Sequence, residues 1–251
     1  MQHKKIVFLA SDCNSSRWVY NALKDEVDFS GVIIEKPVSK RQLFKRRIKK
    51  IGLLKVTGQA LFSLLAVPVI RWFSKKRIAE LLQHNNLSNT GFTAGYHKVN
   101  SVNDADCMEL LKQINPDIVV VNGTRIISKT ILNSIPARFI NMHAGITPFY
   151  RGSHGGYWAM HNNDVANFGT SIHLVDAGVD TGSVLKQVYT LPGRQDNFTT
   201  YPILQVGIGI DALKEVLKQD EQIANQIIKT TEKGRLYYQP GIWEYLFNKA
   251  K

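Results

Sequence analysis

The stretch PDIVVVNGTRIISKTILNSIPARFINMH, residues 116–143, decides the fold. Its first part, PDIVVVNG (116–123), is a near-continuous apolar run, the pattern of a parallel strand covered on both faces. SKTILNSIP (128–136) reads as a short helix and ARFINMH (137–143) as the next strand. Strand, helix and strand in that order form the repeating unit of a parallel sheet. The same alternation continues outward. KKIVFLAS (4–11) reads as a buried first strand, and SSRWVYNALKDE (15–26) as a helix capped by Ser15 or Ser16. FSGVIIEKP (29–37) is a second strand stopped by Pro37, and GFTAGYHKV (91–99) a third. NDADCMELLKQINP (103–116) is a helix with acidic residues in its first turn, where the helix dipole favours them. Beyond 143, GTSIHLVD (169–176) and SVLKQVYTL (183–191) add strands, and YPILQVGIGIDALKEVLKQ (201–219) closes with a helix.

The expected fold is therefore α/β: a Rossmann-like, mainly parallel sheet with helices on both faces. The exception is a segment at about 38–88, a basic helical insertion after the second strand. Residues 36–77 hold 13 Lys or Arg and no Asp or Glu. The net charge of +12 lives there, because the rest of the chain balances 19 basic residues against 20 acidic ones. Such a segment fits a helical subdomain with a solvated basic face. It also fits a surface that attracts anionic lipid or a phosphorylated ligand. Aromatic residues are not interleaved along it as stacking platforms for nucleic acid, so no nucleic-acid partner is expected. LLKVTGQALFSLLAVPVIRWF (53–73) is apolar, but its cleanest stretch, 60–70, is short for a bilayer span. Two cysteines, Cys13 and Cys107, leave no disulfide framework. The N-terminal apolar run reads straight into a strand instead of a signal peptide. A cytoplasmic protein, in peripheral contact at most with an anionic membrane through 38–77, is the expectation.

Ligands of open parallel sheets bind at the carboxyl ends of the strands. The strand DIVVV runs into Asn122, Gly123, Thr124 and Arg125, the next ends in Asn141 and His143, and SIHLV leads to Asp176 and Asp180. Residues i and i+2 of a strand share a face, so Asn141 and His143 point together. An amide can donate to an oxyanion, an imidazole can take a proton from an attacking amine, and a carboxylate can orient that imidazole. No G-x-S-x-G elbow supplies a nucleophile. The pattern thus suits direct acyl transfer between two bound substrates. His143, His154, His161, His173 and Asp176 show no close metal-ligand spacing, so no metal is expected.

FINMHAGITPFYRG (139–152) together with FGTSIHLVDAGVDTGSVL (168–185) resembles the folate-dependent formyltransferase family. That family includes glycinamide ribonucleotide, methionyl-tRNA and nucleotide-sugar N-formyltransferases. Asn141, His143 and Asp180 match its N-x-H and D-x-G-like hallmarks, and His173 matches a further family position. The resemblance implies 10-formyltetrahydrofolate as formyl donor. It implies a pterin held by main chain at Thr124, Arg125, Ile126 and Ile127 and by the loop that begins at Val175 and Asp176. Asn141 would stabilise the oxyanion, His143 would assist proton transfer, and Asp180 would tune His143. Ser11, Asn14, Ser15, Arg151, His154 and His173 are the candidate acceptor contacts.

The departures from the family pattern lie on the acceptor side. SDCNSSR (11–17) has no glycine where a glycine-rich loop is usual, so its backbone approaches a phosphate less closely. Gly145 stands where many relatives carry Ser, and SHGGYW (153–158) is unusual. The expected organisation is a catalytic domain over 1–195 and a C-terminal helical extension over 196–251, without the longer domain of the tRNA enzymes. The leading expectation is N-formylation of a small amine, a nucleotide-linked amino sugar for surface-polysaccharide synthesis. A glycinamide ribonucleotide-type enzyme is the alternative acceptor reading. A non-catalytic folate or membrane-binding module is the alternative from another class.

Overall fold

A computed structural model describes residues 4–92, 95–219 and 234–247. Residues 93–94 of the expected third strand, and 220–233 and 248–251 of the expected extension, lie outside the described residues. The strands are β1 (Ile6–Ser11), β2 (Phe29–Glu35), β3 (His97–Val99), β4 (Ile118–Asn122), β5 (Arg138–His143), β6 (Tyr150–Gly152), β7 (Gly169–Leu174), β8 (Val184–Tyr189) and β9 (Arg235–Tyr237). Seven form one sheet in the order β3-β2-β1-β4-β5-β7-β8, and β6 pairs with β9 in a second, two-stranded sheet.

β3, β2, β1, β4 and β5 are parallel, as their apolar runs predict. β7 and β8 are not part of that run. β7 is antiparallel to β5 and β8 is antiparallel to β7, so the sheet is mainly parallel, as expected. The cause lies in the connection. Between β5 and β7 the chain makes β6 and the short helix Gly155–His161, not a long helix crossing the sheet. A strand that returns without a crossover pairs antiparallel with its neighbour.

The two-residue period sorts the core. Phe8, Val120, Ile140 and Ile172 point to one face, where helices Asn14–Leu23 and Tyr201–Lys218 cover them. Val7, Val119, Val121 and Phe139 point to the other, against helix Ala105–Ile114. The C-terminal part reads in sequence as a helical extension. In the structure, Tyr201–Lys218 is a core helix of the main sheet and β9 is a strand.

The first helix starts at Asn14 with Cys13 in the extended capping position, two or three residues before the expected cap at Ser15 or Ser16. The serines are turned elsewhere. Ser16 is buried and its hydroxyl lies 3.2 Å from the Asn122 carbonyl and 3.1 Å from the Asn122 Oδ1.

The basic insertion forms helices Lys40–Ile51, Leu53–Phe73 and Lys75–His84, with a π-helical turn at Phe62–Ala66 inside the second. Gly52, at φ +85, makes the corner between the first two. The insertion is anchored by Phe62, which is fully buried in an aromatic cluster with Tyr150, Tyr157, Phe198 and Tyr201.

Candidate active site

The carboxyl end of β5 places Asn141 and His143 on one face, with Phe139 two residues earlier on the same face. The ladder with β7 sets His173 opposite Asn141 and Ser171 opposite His143. The Asn141 Nδ2 lies 3.1 Å from the His173 Nε2. The His173 Nδ1 donates to its neighbour's carbonyl, Leu174 O, at 2.7 Å, which leaves Nε2 to accept from Asn141. The His143 Nε2 donates to the Tyr150 carbonyl at 2.8 Å. Its other nitrogen, Nδ1, faces the Asp180 Oδ2 at 3.5 Å. Asp180 also sits 3.5 Å from the His173 Nε2 and accepts from the Gly152 N–H at 2.8 Å. Its backbone is left-handed, at φ +50, which aims the carboxylate back over the strand end.

The charges follow from burial. Burial pushes the His143 imidazole below its ordinary value, and His173 adds to that, although Asp180 and the Tyr150 carbonyl pull the other way. Burial alone would raise the Asp180 carboxyl. His143, His173 and the Gly152 N–H outweigh it and hold the carboxyl at about 2. The histidines exert their full pull only when charged, so the Gly152 N–H is the permanent part of that anchor. At neutral pH the site rests as a carboxylate beside a neutral imidazole whose basic nitrogen is Nδ1.

Asn141, His143, His173 and Asp180 thus converge. The other expected residues divide. Asn122 lies on the opposite face of the sheet, because its neighbour Val121 is the residue paired with Asn141. Ser15 and Ser16 turn to Asn122, and Asn14 is exposed at the start of the helix. The Ser11 hydroxyl donates to Glu35 at 2.9 Å. Arg125 is committed to the same carboxylate through its N–H at 2.7 Å and its Nε at 2.6 Å. Its guanidinium therefore belongs to the scaffold. Ile127 is buried in the core, Ile126 is exposed, and Thr124 is partly buried. Asp176 folds back on its own loop, accepting from Gly178 N–H and Thr181 Oγ1. The Arg151 Nη2 donates to Gly234 O at 3.0 Å. The His154 ring packs on Phe198, 4.7 Å between centroids, with Nδ1 2.6 Å from the Tyr201 hydroxyl. Burial, with Arg47 nearby, pushes it down to about 4, so it belongs to the aromatic cluster.

Sequence reading misses three contributors. The Tyr150 carbonyl and the Gly152 N–H are main-chain groups and carry no side-chain signature. Glu35 had a signal: a carboxylate ending the apolar run GVIIE. It is buried and ties together Ser11, Val102 and Arg125, the end of β1 and the loops after β3 and β4.

Gly145 and Gly155 explain each other. A Cβ on Gly145 would lie 2.6 Å from the Tyr150 carbonyl oxygen and 2.8 Å from the His143 Nε2. A Cβ on Gly155 would lie 2.8 Å from the Gly145 Cα. The two departures from the family pattern are one feature, backbone packed on backbone behind His143.

A depression of about 510 Å³ lies beside the site, lined by Leu132, Phe139, Leu174, Val175 and Asp176 among others. It does not include His143 or Asp180. It opens two residues down the face of β5 that carries Asn141, a step of roughly 7 Å. Among the described residues, no cluster of three His, Cys, Asp or Glu is arranged to hold a metal.

The fold is an α/β sheet that brings Asn141, His143, His173 and Asp180 together at its strand ends. Residues 55–200, more than half of the chain, match the formyl transferase family, and the chain belongs to that family. It is similar to a methionyl-tRNA formyltransferase of Chlorobium chlorochromatii, 28% identical over 146 residues, which are 54% of this chain and 46% of the relative. A methionyl-tRNA formyltransferase of Finegoldia magna is 42% identical over 86 residues, 34% of this chain and 27% of the relative. The chain thus spans half or less of the length of these curated relatives. Two solved structures share the fold. A sugar N-formyltransferase from Shewanella has a TM-score of 0.55 at 17% identity, covering 93% of this chain and 76% of that one. A phosphoribosylglycinamide formyltransferase from Streptococcus pneumoniae has a TM-score of 0.54 at 24% identity, covering 87% and 99%.

Proposed function

We propose that the protein transfers a formyl group from 10-formyltetrahydrofolate to a primary amine of a small acceptor, a nucleotide-linked amino sugar. The observation that carries the transfer is the His143–Asp180 pair beside Asn141, with the basic Nδ1 turned to the carboxylate. The donor reading draws support from the neighbouring depression. Its partly exposed Leu132, Leu174 and Val175 offer an apolar bed for a flat heteroaromatic ring, with Asp176 also in the lining.

The chemistry is balanced by the chain's own groups. The acceptor amine attacks the formyl carbon and the carbonyl oxygen becomes an oxyanion. Asn141 has two N–H donors, and with one on His173 the second serves the oxyanion. The Nδ1 of His143 takes the proton that the amine loses, and Asp180 stabilises the imidazolium so formed. Collapse breaks the bond to the folate nitrogen, and His143 returns the proton to that leaving nitrogen. No covalent intermediate on the enzyme is needed.

On the acceptor side, the loop after β1 offers no glycine-built phosphate cradle, and its serines are spent on Asn122. That disfavours a glycinamide ribonucleotide. The Nε of Arg151 is buried and has no hydrogen-bond partner among the described residues, a donor suited to an anionic acceptor. The test mixes the protein with 10-formyltetrahydrofolate and a panel of nucleotide-linked amino sugars, glycinamide ribonucleotide and methionyl-tRNA, and follows tetrahydrofolate release. Turnover with a nucleotide sugar, lost in His143→Ala, is the expected result. Turnover only with another member of the panel overturns the acceptor. Failure to bind the folate overturns the donor.

A further inference from the structure

Helix Leu53–Phe73 is apolar on both its inner and its outer side, whereas a helix on a water-facing surface hides its apolar stripe and shows polar residues. Here Val56, Gly58, Gln59 and Phe62 face inward and are buried. The outward stripe, at spacings of three, four and seven, is Leu54, Leu61, Leu64, Leu65, Val69 and Trp72. Leu54 is 81% exposed and Leu64 72%, and Phe73 at the end of the helix is 75% exposed. The short helix Ile242–Phe247 packs against this one and adds exposed Trp243, Leu246 and Phe247. A contiguous apolar surface of this kind marks an interaction site.

Its surroundings identify the occupant. Residues 36–77 carry 13 cations and no anion. Arg41, Lys45, Arg46, Lys49 and Lys50 are exposed on the preceding helix. Lys55 stands at one end of the apolar stripe, and Arg71, Lys75 and Lys76 at the other. We infer that this face docks on the surface of an anionic lipid bilayer. The apolar stripe enters the boundary between headgroups and acyl chains, the two tryptophans sit at its level, and the cations meet acidic headgroups. A second copy of this chain would set one cationic segment against another, which Coulomb repulsion opposes.

The helix lies on the membrane and does not cross it. At 21 residues and a mean hydropathy of 1.8 it meets the length and composition of a span. Its inner side is fastened to the domain along its length. The Gln59 Nε2 donates to the Gln239 carbonyl at 2.7 Å, the Phe62 ring lies 4.8 Å from Phe198, and buried Ser74 accepts from the Asn197 Nδ2 at 2.8 Å. Through β9, which pairs with β6, the same anchor connects to Gly152 and hence to Asp180. Docking is independent of the formyl-transfer reading.

The test is flotation of the full chain with vesicles of equal parts phosphatidylglycerol and phosphatidylcholine, against vesicles of phosphatidylcholine alone. The expected result is more than about tenfold preference for the anionic vesicles, weakened by salt. The double variant Leu64→Glu, Leu65→Glu is expected to lose flotation while its circular dichroism matches the wild type, since both side chains are exposed. His143→Ala is expected to float normally, which separates this inference from the catalytic one. Failure of the wild type to float with anionic vesicles overturns the proposal. So does unchanged flotation of the double variant. A dimer on light scattering that the double variant converts to a non-floating monomer would reassign the face to contact between copies.

Discussion

His143 is held by two opposed partners. Its Nε2 is fixed by a carbonyl and its Nδ1 faces a carboxylate, so the ring has one tautomer and one basic atom. Burial lowers its proton affinity, so kcat/KM is expected to be flat above the ordinary histidine value of 6.5 and to fall on the acid side with a midpoint below it. Asp180→Asn removes the anion that raises the imidazole. Its midpoint is therefore expected to move further down, with kcat lower by about 10²–10⁴-fold. Asn tolerates the left-handed backbone at this position, so the loop should persist. An upward shift in the pH–rate profile would contradict the pairing. Gly145→Ala tests the support behind the ring. The added methyl group must displace the Tyr150 carbonyl or the imidazole, and a loss of about tenfold or more in kcat with about 1–3 kcal/mol of stability is expected. Unchanged turnover with unchanged thermal midpoint would show that the loop has another place to go. These residues also mark the reach of sequence reasoning. Asn141 and His143 were legible because a strand puts i and i+2 on one face. The Tyr150 carbonyl was not, because a backbone acceptor looks the same in every residue.

At the scale of elements, the apolar runs of β1, β2, β4 and β5 announced both their existence and their parallel neighbours. Strand direction in β7 and β8 was not legible, since a period of two is the same in either sense. β6 and β9 are three residues each and carry no period at all. The link between elements that sequence reading passed over is Glu35 at the end of β2. It is buried and accepts from Ser11, from Val102 and twice from Arg125. It fixes Arg125 in the loop 124–127, which the family resemblance assigns to the pterin. Glu35→Ala leaves the Arg125 guanidinium without its carboxylate, and a cost of about 3 kcal/mol is expected in denaturant titration, discounted for the partial exposure of the arginine. If the loop holds the folate, the Michaelis constant for the donor should rise more than that for the acceptor. An equal rise in both would make Glu35 a general stabiliser only.

At the scale of the whole molecule, the insertion, β6 with the helix that follows it and the C-terminal helices meet in one aromatic cluster, whose rings contact His154 and His161. The left-handed backbone of His154, at φ +64, starts the helix Gly155–His161. Burial takes its proton affinity from 6.5 down to about 4 in the folded state. The unfolded chain therefore binds this proton first as the pH drops. The sign is fixed: the neutral ring costs nothing above pH 6.5, and stability declines between 6.5 and about 4 as the unfolded state gains the proton. Below 4, Asp180 begins to act as well, since its carboxyl is held at about 2 and its contribution fades only there. The loss from His154 amounts to roughly 3 kcal/mol at most, the shift from 6.5 to about 4 at about 1.4 kcal/mol per unit. His154→Asn keeps the left-handed backbone and an uncharged hydrogen-bonding side chain. Thermal unfolding followed from pH 8 to pH 4 is expected to show a midpoint that falls steeply below pH 6.5 in the wild type. In the variant, the slope should be shallower over that window and unchanged above it. Parallel slopes would assign the acid sensitivity to His143 instead, whose burial acts in the same direction at the other end of the same loop.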